Sequence, residues 1–122
     1  MQKQFDLLNN ICSIFFSAPE KFNFLEYEYK FNPEEAWVGT KLITKLDGNP
    51  VQITLSEQNE DKLMDLCQEL HDEMQAHTGG DWRKFILTIN ESGEANTKFI
   101  YEIQSILDEL EDEDYFALIN ER

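Results

Sequence analysis

The segment Phe24–Phe31 alternates strictly, with Leu25, Tyr27, Tyr29 and Phe31 on one side and Glu26, Glu28 and Lys30 on the other. A period of two belongs to a strand with one buried face and one wet face. Asn32-Pro33-Glu34-Glu35 supplies a turn. Trp37–Leu46 then reads as a second strand, with Val38, Thr40, Leu42, Thr44 and Leu46 on one face. Asp47-Gly48-Asn49-Pro50 is a hairpin signal, and Val51, Ile53 and Leu55 predict a short third strand. Further on, Trp82–Asn90 reads as a strand with Phe85, Leu87 and Ile89 inward. Glu91-Ser92-Gly93 turns the chain, and Thr97, Phe99, Tyr101 and Ile103 predict the returning strand.

Helical spacing surrounds these strands. In Lys3–Ala18, Phe5, Leu8, Cys12, Phe15 and Phe16 fall at offsets 0, 3, 7, 10 and 11, and Pro19 stops the run. Leu7, Ile11 and Ile14 widen that stripe. Ser56 is a good N-cap, and Glu57, Glu60 and Asp61 suit the positive end of a helix dipole. Leu63, Leu66, Cys67, Leu70, Met74 and His77 continue at helical spacing until Gly79 and Gly80. Ile106, Leu107 and Leu110 begin a last helical stretch that reaches Leu118 and Ile119. The predicted order is α-β-β-β-α-β-β-α. It describes an α+β fold: a mainly antiparallel sheet of about five strands, with helices packed on one face. At 122 residues, with no linker or repeat, the chain reads as a single globular domain over 1–122.

Charge narrows the function classes. Ten basic and 25 acidic residues give a formal charge of −15. Binding to a nucleic-acid backbone needs Lys and Arg to release counterions, so no nucleic acid is expected as partner. A base-stacking sheet is set aside on the same ground. Only Lys30, Lys41, Lys45, Arg83, Lys84 and Lys98 lie near the strands. No membrane partner is expected either: an anionic surface repels this chain, and no apolar run approaches a span. The N-terminal stretch lacks a signal-peptide h-region. Cys12 and Cys67 have no CxxC neighbour and sit on apolar stripes, so they read as reduced core thiols. A cytoplasmic location is expected.

Two acidic segments are candidate contact surfaces. In Asp108-Glu109-Leu110-Glu111-Asp112-Glu113-Asp114, six of seven residues are acidic, and Tyr115 and Phe116 follow at once. Such a run is either a solvated face or a surface for a basic partner, where charge speeds encounter and aromatics anchor. It does not meet the calcium-loop pattern, which needs Gly at its sixth position and Glu at its twelfth. The second segment is the middle helix. There Asp61, Asp65, Glu69, Asp72 and Glu73 fall at offsets 0, 4, 8, 11 and 12, along one face. Like charges so spaced repel by a few tenths of a kcal/mol per pair, a cost that a positive partner removes.

Catalytic and metal constellations are absent from the sequence pattern. His71 and His77 are six apart and point to different helix faces, unlike the HExxH pair. Cys67 and His71 are spaced i, i+4. However, a thiol on an apolar stripe is usually inert. Trp37, Trp82, Tyr27, Tyr29 and Tyr101 read mainly as core. No nucleophile, base and oxyanion donor come together, so no enzyme activity, cofactor or metal is expected.

The stretch Trp82-Arg83-Lys84-Phe85-Ile86-Leu87-Thr88, the turn at Ser92-Gly93 and Lys98-Phe99-Ile100-Tyr101 resemble the YezG-like immunity proteins. The likeness extends as a pattern over residues 5–103: an N-terminal helix, a strand meander, a long acidic helix and a Trp-initiated hairpin. It implies a cytoplasmic immunity protein of a polymorphic-toxin or contact-dependent-inhibition system. Such a protein binds a cognate toxin domain, often a nuclease with a cationic surface, and occludes it stoichiometrically. The other reading from charge alone is an acidic adaptor or chaperone-like subunit for another basic protein.

Overall fold

The computed structural model describes residues 2–102. Two helices and five strands follow one another: α1 (Gln2–Phe16), β1 (Phe24–Asn32), β2 (Trp37–Leu46), β3 (Asn49–Pro50), α2 (Glu57–Thr78), β4 (Lys84–Ile89) and β5 (Ala95–Ile100). The strands form one sheet in the order β3-β2-β1-β4-β5. Every pairing is antiparallel. The fold is α+β, as the alternation of periods predicts. The last predicted helix, Ile103 and the acidic run Asp108–Asp114 with Tyr115 and Phe116 lie outside the described residues.

β1 sits at the centre and carries the core. Leu25, Tyr27, Tyr29 and Phe31 are buried. Leu25, Tyr27 and Tyr29 stand opposite Ile89, Leu87 and Phe85 on β4 in register. Both helices pack on this face. From α1, Phe15 meets Tyr27 with ring centroids 5.0 Å apart. From α2, His71 meets Phe31 edge-on at 5.0 Å. Trp82, Phe15, Phe85, Ile11, Leu25, Leu70 and Leu87 are the largest fully buried apolar side chains.

The turns follow their residue chemistry. Asp47 (φ 51°) and Gly48 (φ 84°) both take positive φ between Leu46 and its partner Asn49, the primed geometry that matches strand twist. Asn23 locks this turn, accepting from the Asp47 N–H at 2.9 Å and donating to its carboxylate at 3.0 Å. At the other hairpin, Asn32 Oδ1 accepts from the Glu34 and Glu35 amides at 3.0 and 3.1 Å. That Asx arrangement turns the chain from β1 into β2.

Several boundaries and faces differ from the sequence expectation. The third strand stops at Pro50, although the Val51 N–H still donates to the Thr44 carbonyl at 3.0 Å and the Thr44 hydroxyl donates to the Val51 carbonyl at 2.6 Å. Beyond it the chain must leave the sheet edge to enter the helical layer. Ile53 is buried there, and Thr54 is held by Glu20, whose carboxylate accepts from its amide at 2.8 Å and its hydroxyl at 2.7 Å. On α1 the buried residues are Leu7, Ile11, Ile14 and Phe15, whereas Phe5 and Phe16 are 64% and 60% exposed. The widening residues Leu7, Ile11 and Ile14 are thus buried together with Phe15. Leu8 and Cys12 pack partly against the same core, and the two ends of the stripe, Phe5 and Phe16, are left outside. Phe16 stacks instead on Phe22 at 5.4 Å. β4 begins at Lys84, because Trp82 turns fully into the core. β5 ends at Ile100, leaving Tyr101 53% exposed. His77 is exposed, not part of the apolar stripe.

Candidate functional site

α2 is held firmly at both ends. Ser56 Oγ accepts from the Asn59 amide at 3.1 Å, and Gly79 takes a left-handed conformation with φ 75° while its N–H donates to the Gln75 carbonyl. The core stripe Leu63, Leu66, Cys67, Leu70, His71 and Met74 is buried. The opposite side therefore faces solvent, and Asp61, Asp65, Glu69 and Asp72 are exposed along it.

The predicted helix patch is consequently real as a face but not uniform. Lys3 on α1 approaches Glu69 at 3.8 Å and Glu73 at 3.7 Å. Glu73 also meets His77 Nε2 at 2.7 Å, and its side chain is only 18% exposed. Asp72 receives His71 Nδ1 at 2.9 Å and Gln68 Nε2 at 3.4 Å. Asp65 and its neighbour Asp61 have no ion-pair partner among the described residues. Of the four helix residues expected to make contact, Asp65 is the most available and Glu73 the least. The other eight, Asp108 to Phe116 without Leu110, fall outside the described residues.

A buried charged node lies at the end of α2 and was not expected from the sequence. His71 is 5% exposed and stands between Phe31 and Trp82. Its Nε2 meets Asp81 Oδ1 at 2.6 Å while Nδ1 meets Asp72. The neutral ring can donate to only one of these carboxylates; the imidazolium can donate to both. Arg83 Nη1 donates to Asp81 as well, and its guanidinium lies 5.2 Å from the centre of the Phe31 ring. The hydrogen bond from His71, followed by the Arg83 contacts, holds the Asp81 carboxyl below its ordinary range. Both ring nitrogens are thus engaged with carboxylates rather than with Cys67, so the i, i+4 pair forms no dyad. Burial pushes the Cys67 thiol up to about 12, far from a reactive thiolate. The Tyr27 hydroxyl faces that sulfur, a weak acceptor, and has no stronger partner among the described residues. No group of three or more metal-ligating side chains occurs among the described residues.

The acidic total conceals a division of charge. Lys30, Lys41, Lys45, Lys84 and Lys98 all fall on the sheet face turned away from the helices, by register with Gly39, Glu28 and Ile86. Glu26 and Glu28 share that face. Lys84 approaches Glu28 at 3.6 Å, and Lys45 lies 5.6 Å from the centre of the Phe24 ring. Lys30 is 3% exposed, and the Lys84 side chain is 12% exposed. Lys30, Lys45 and Lys84 are therefore paired or withdrawn from solvent in part, whereas Lys98 is exposed. The acidic side chains of α2 dominate the helical face.

No helix among the described residues is long and apolar enough to cross a membrane. Compared with known proteins, the chain matches no family model and no curated protein.

Proposed function

We propose that this chain is a cytoplasmic immunity protein of the YezG-like kind. It binds a cognate toxin domain, a basic protein and most simply a nuclease with a cationic substrate surface, and blocks it one to one. No catalytic step or cofactor is assigned to it. The observation that carries this reading is the solvent-facing ridge Asp61, Asp65, Glu69 and Asp72 on a helix fixed by caps and core. A rigid row of carboxylates steers a cationic surface and fixes its register, whereas tight binding needs packed anchors in addition. The run Asp108–Asp114 adds six more carboxylates to the chain's field.

The test is titration of the toxin domain's activity with this chain. Activity is expected to fall to baseline at one chain per toxin. Asp61→Lys with Asp65→Lys should slow association roughly tenfold and flatten its dependence on salt, with the fold intact. Full toxin activity in the presence of excess chain overturns the reading.

A further inference from the structure

Among the described residues, the face of β2 turned toward the helices is incompletely covered. Register places Val38, Thr40, Leu42 and Thr44 beside Phe31, Tyr29, Tyr27 and Leu25. Thr44 is buried, yet Val38 remains 46% exposed and Leu42 38%. The cause is the path of the chain. β3 ends at Pro50, and α2 lies over β1, with Gln68 on the Tyr29 hydroxyl and His71 on Phe31. A groove of about 300 Å³ is left between β2 and the first half of α2. Thr40 and Leu42 form one wall, Leu63 and Met64 the other, Leu55 closes one side, and Glu60 is its charged member. Met64 is 38% exposed, although its neighbours Leu63 and Leu66 are buried.

We infer that this groove is the anchor pocket for the basic partner, receiving one large apolar side chain flanked by lysine or arginine. The inference rests on the reading of the partner as a cationic protein and supplies the packed contact that the acidic ridge lacks. An exposed apolar depression beside charged residues is the usual form of an interaction hot spot. Its charge selects the occupant. Glu60 is the charged residue that lines it, and Glu57 and Asp61 stand next to it in sequence on the same helix. An anionic segment, or a second copy of this chain, would set like charges against that rim. A cationic segment satisfies Glu60 while its apolar side chain covers Leu42 and Met64. Methionine's flexible thioether adapts to such a guest.

Three blocked pentapeptides test this: Lys-Lys-Phe-Lys-Lys, Lys-Lys-Ala-Lys-Lys and Glu-Glu-Phe-Glu-Glu. Binding is followed through the methyl resonances of Leu42, Leu55, Leu63 and Met64. The cationic Phe peptide is expected to shift these methyls and to bind roughly tenfold more tightly than its Ala counterpart. Leu42→Gln and Met64→Gln should each remove that difference. Both positions are exposed, so the variants should keep the native melting temperature to within a few degrees. Equal binding of the Phe and Ala peptides, with shifts confined to the Asp61–Asp65 side of α2, overturns the pocket and leaves the acidic ridge standing. Equal binding of the anionic and cationic Phe peptides overturns the charge-selected occupant. Binding by neither cationic peptide overturns both the pocket and the basic-partner reading beneath it.

Discussion

His71 Nε2 and Asp81 Oδ1 meet at 2.6 Å, tying the buried side of α2 to the residue that precedes Trp82. Only a short link, residues 79–83 beginning with Gly79 and Gly80, separates the helix from β4, so this contact fixes where β4 enters the sheet. His71→Gln keeps most of the volume but loses the ring geometry that reaches both Asp72 and Asp81. It should cost about 2 kcal/mol in urea unfolding. Asp81→Asn should cost less, about 1 kcal/mol, because the Asp81 side chain is 41% exposed.

The same contact sets an acid dependence. The folded-state pKa of Asp81 is lowered, first by the hydrogen bond from His71 and then by Arg83. A lowered carboxylate contributes stability above its unfolded value and loses it as pH falls through its folded value. Melting temperature should therefore drop as pH falls below about 4, and the drop should be shallower in Asp81→Asn. An identical slope in the two proteins contradicts the assignment.

The thiols should differ in reactivity. Cys67 is fully buried, with its thiol raised to about 12, and Cys12 is partly buried, its thiol also raised by burial. A thiol reagent at mild alkaline pH should modify Cys12 first. Cys67 should react only on unfolding, which mass spectrometry of the labelled peptides would show.

The choice of face on α1 is testable by truncation. Ile11 is completely buried, whereas Phe5 is 64% exposed. Ile11→Ala should cost about 3 kcal/mol, and Phe5→Ala less than about 0.5 kcal/mol. The opposite ranking would restore the stripe that begins at Phe5.

Much of this fold is legible in the residues because local and tertiary preferences agree. The alternation through Tyr27 and Tyr29 fits β1, buried on its helix side. Asp47-Gly48 fits the only kind of two-residue turn that both positive φ values allow. Ser56 and Gly79 mark the ends of α2. Where the chain had two local options, tertiary packing chose. Leu7 and Phe5 both lie on the widened apolar stripe of α1, and only tertiary packing leaves one buried and the other exposed. Val51 to Leu55 alternate as a strand does, but the chain must cross to the helical layer before they can pair. The candidate site is less legible for the same reason. Asp65 and Glu73 look equivalent along the helix, but Glu73 is half-buried and meets both His77 and Lys3, the second a residue distant in sequence. The groove depends on Leu42 and Met64 being left uncovered, which no periodicity encodes. His71 sits on the apolar stripe, and the carboxylate that completes its environment is ten residues away, past a glycine pair.

The central claim is that the acidic ridge of α2 captures one basic partner. Parallel affinity purifications from the cells that make this chain test it most directly. One uses the native chain and one uses Asp61→Lys with Asp65→Lys, both washed at high salt. The expected result is a single basic toxin domain, held one to one by the native chain and lost from the charge-reversed one. Recovery of the same partner in the same amount by both proteins contradicts the claim, as does a stoichiometric partner that lacks a cationic surface.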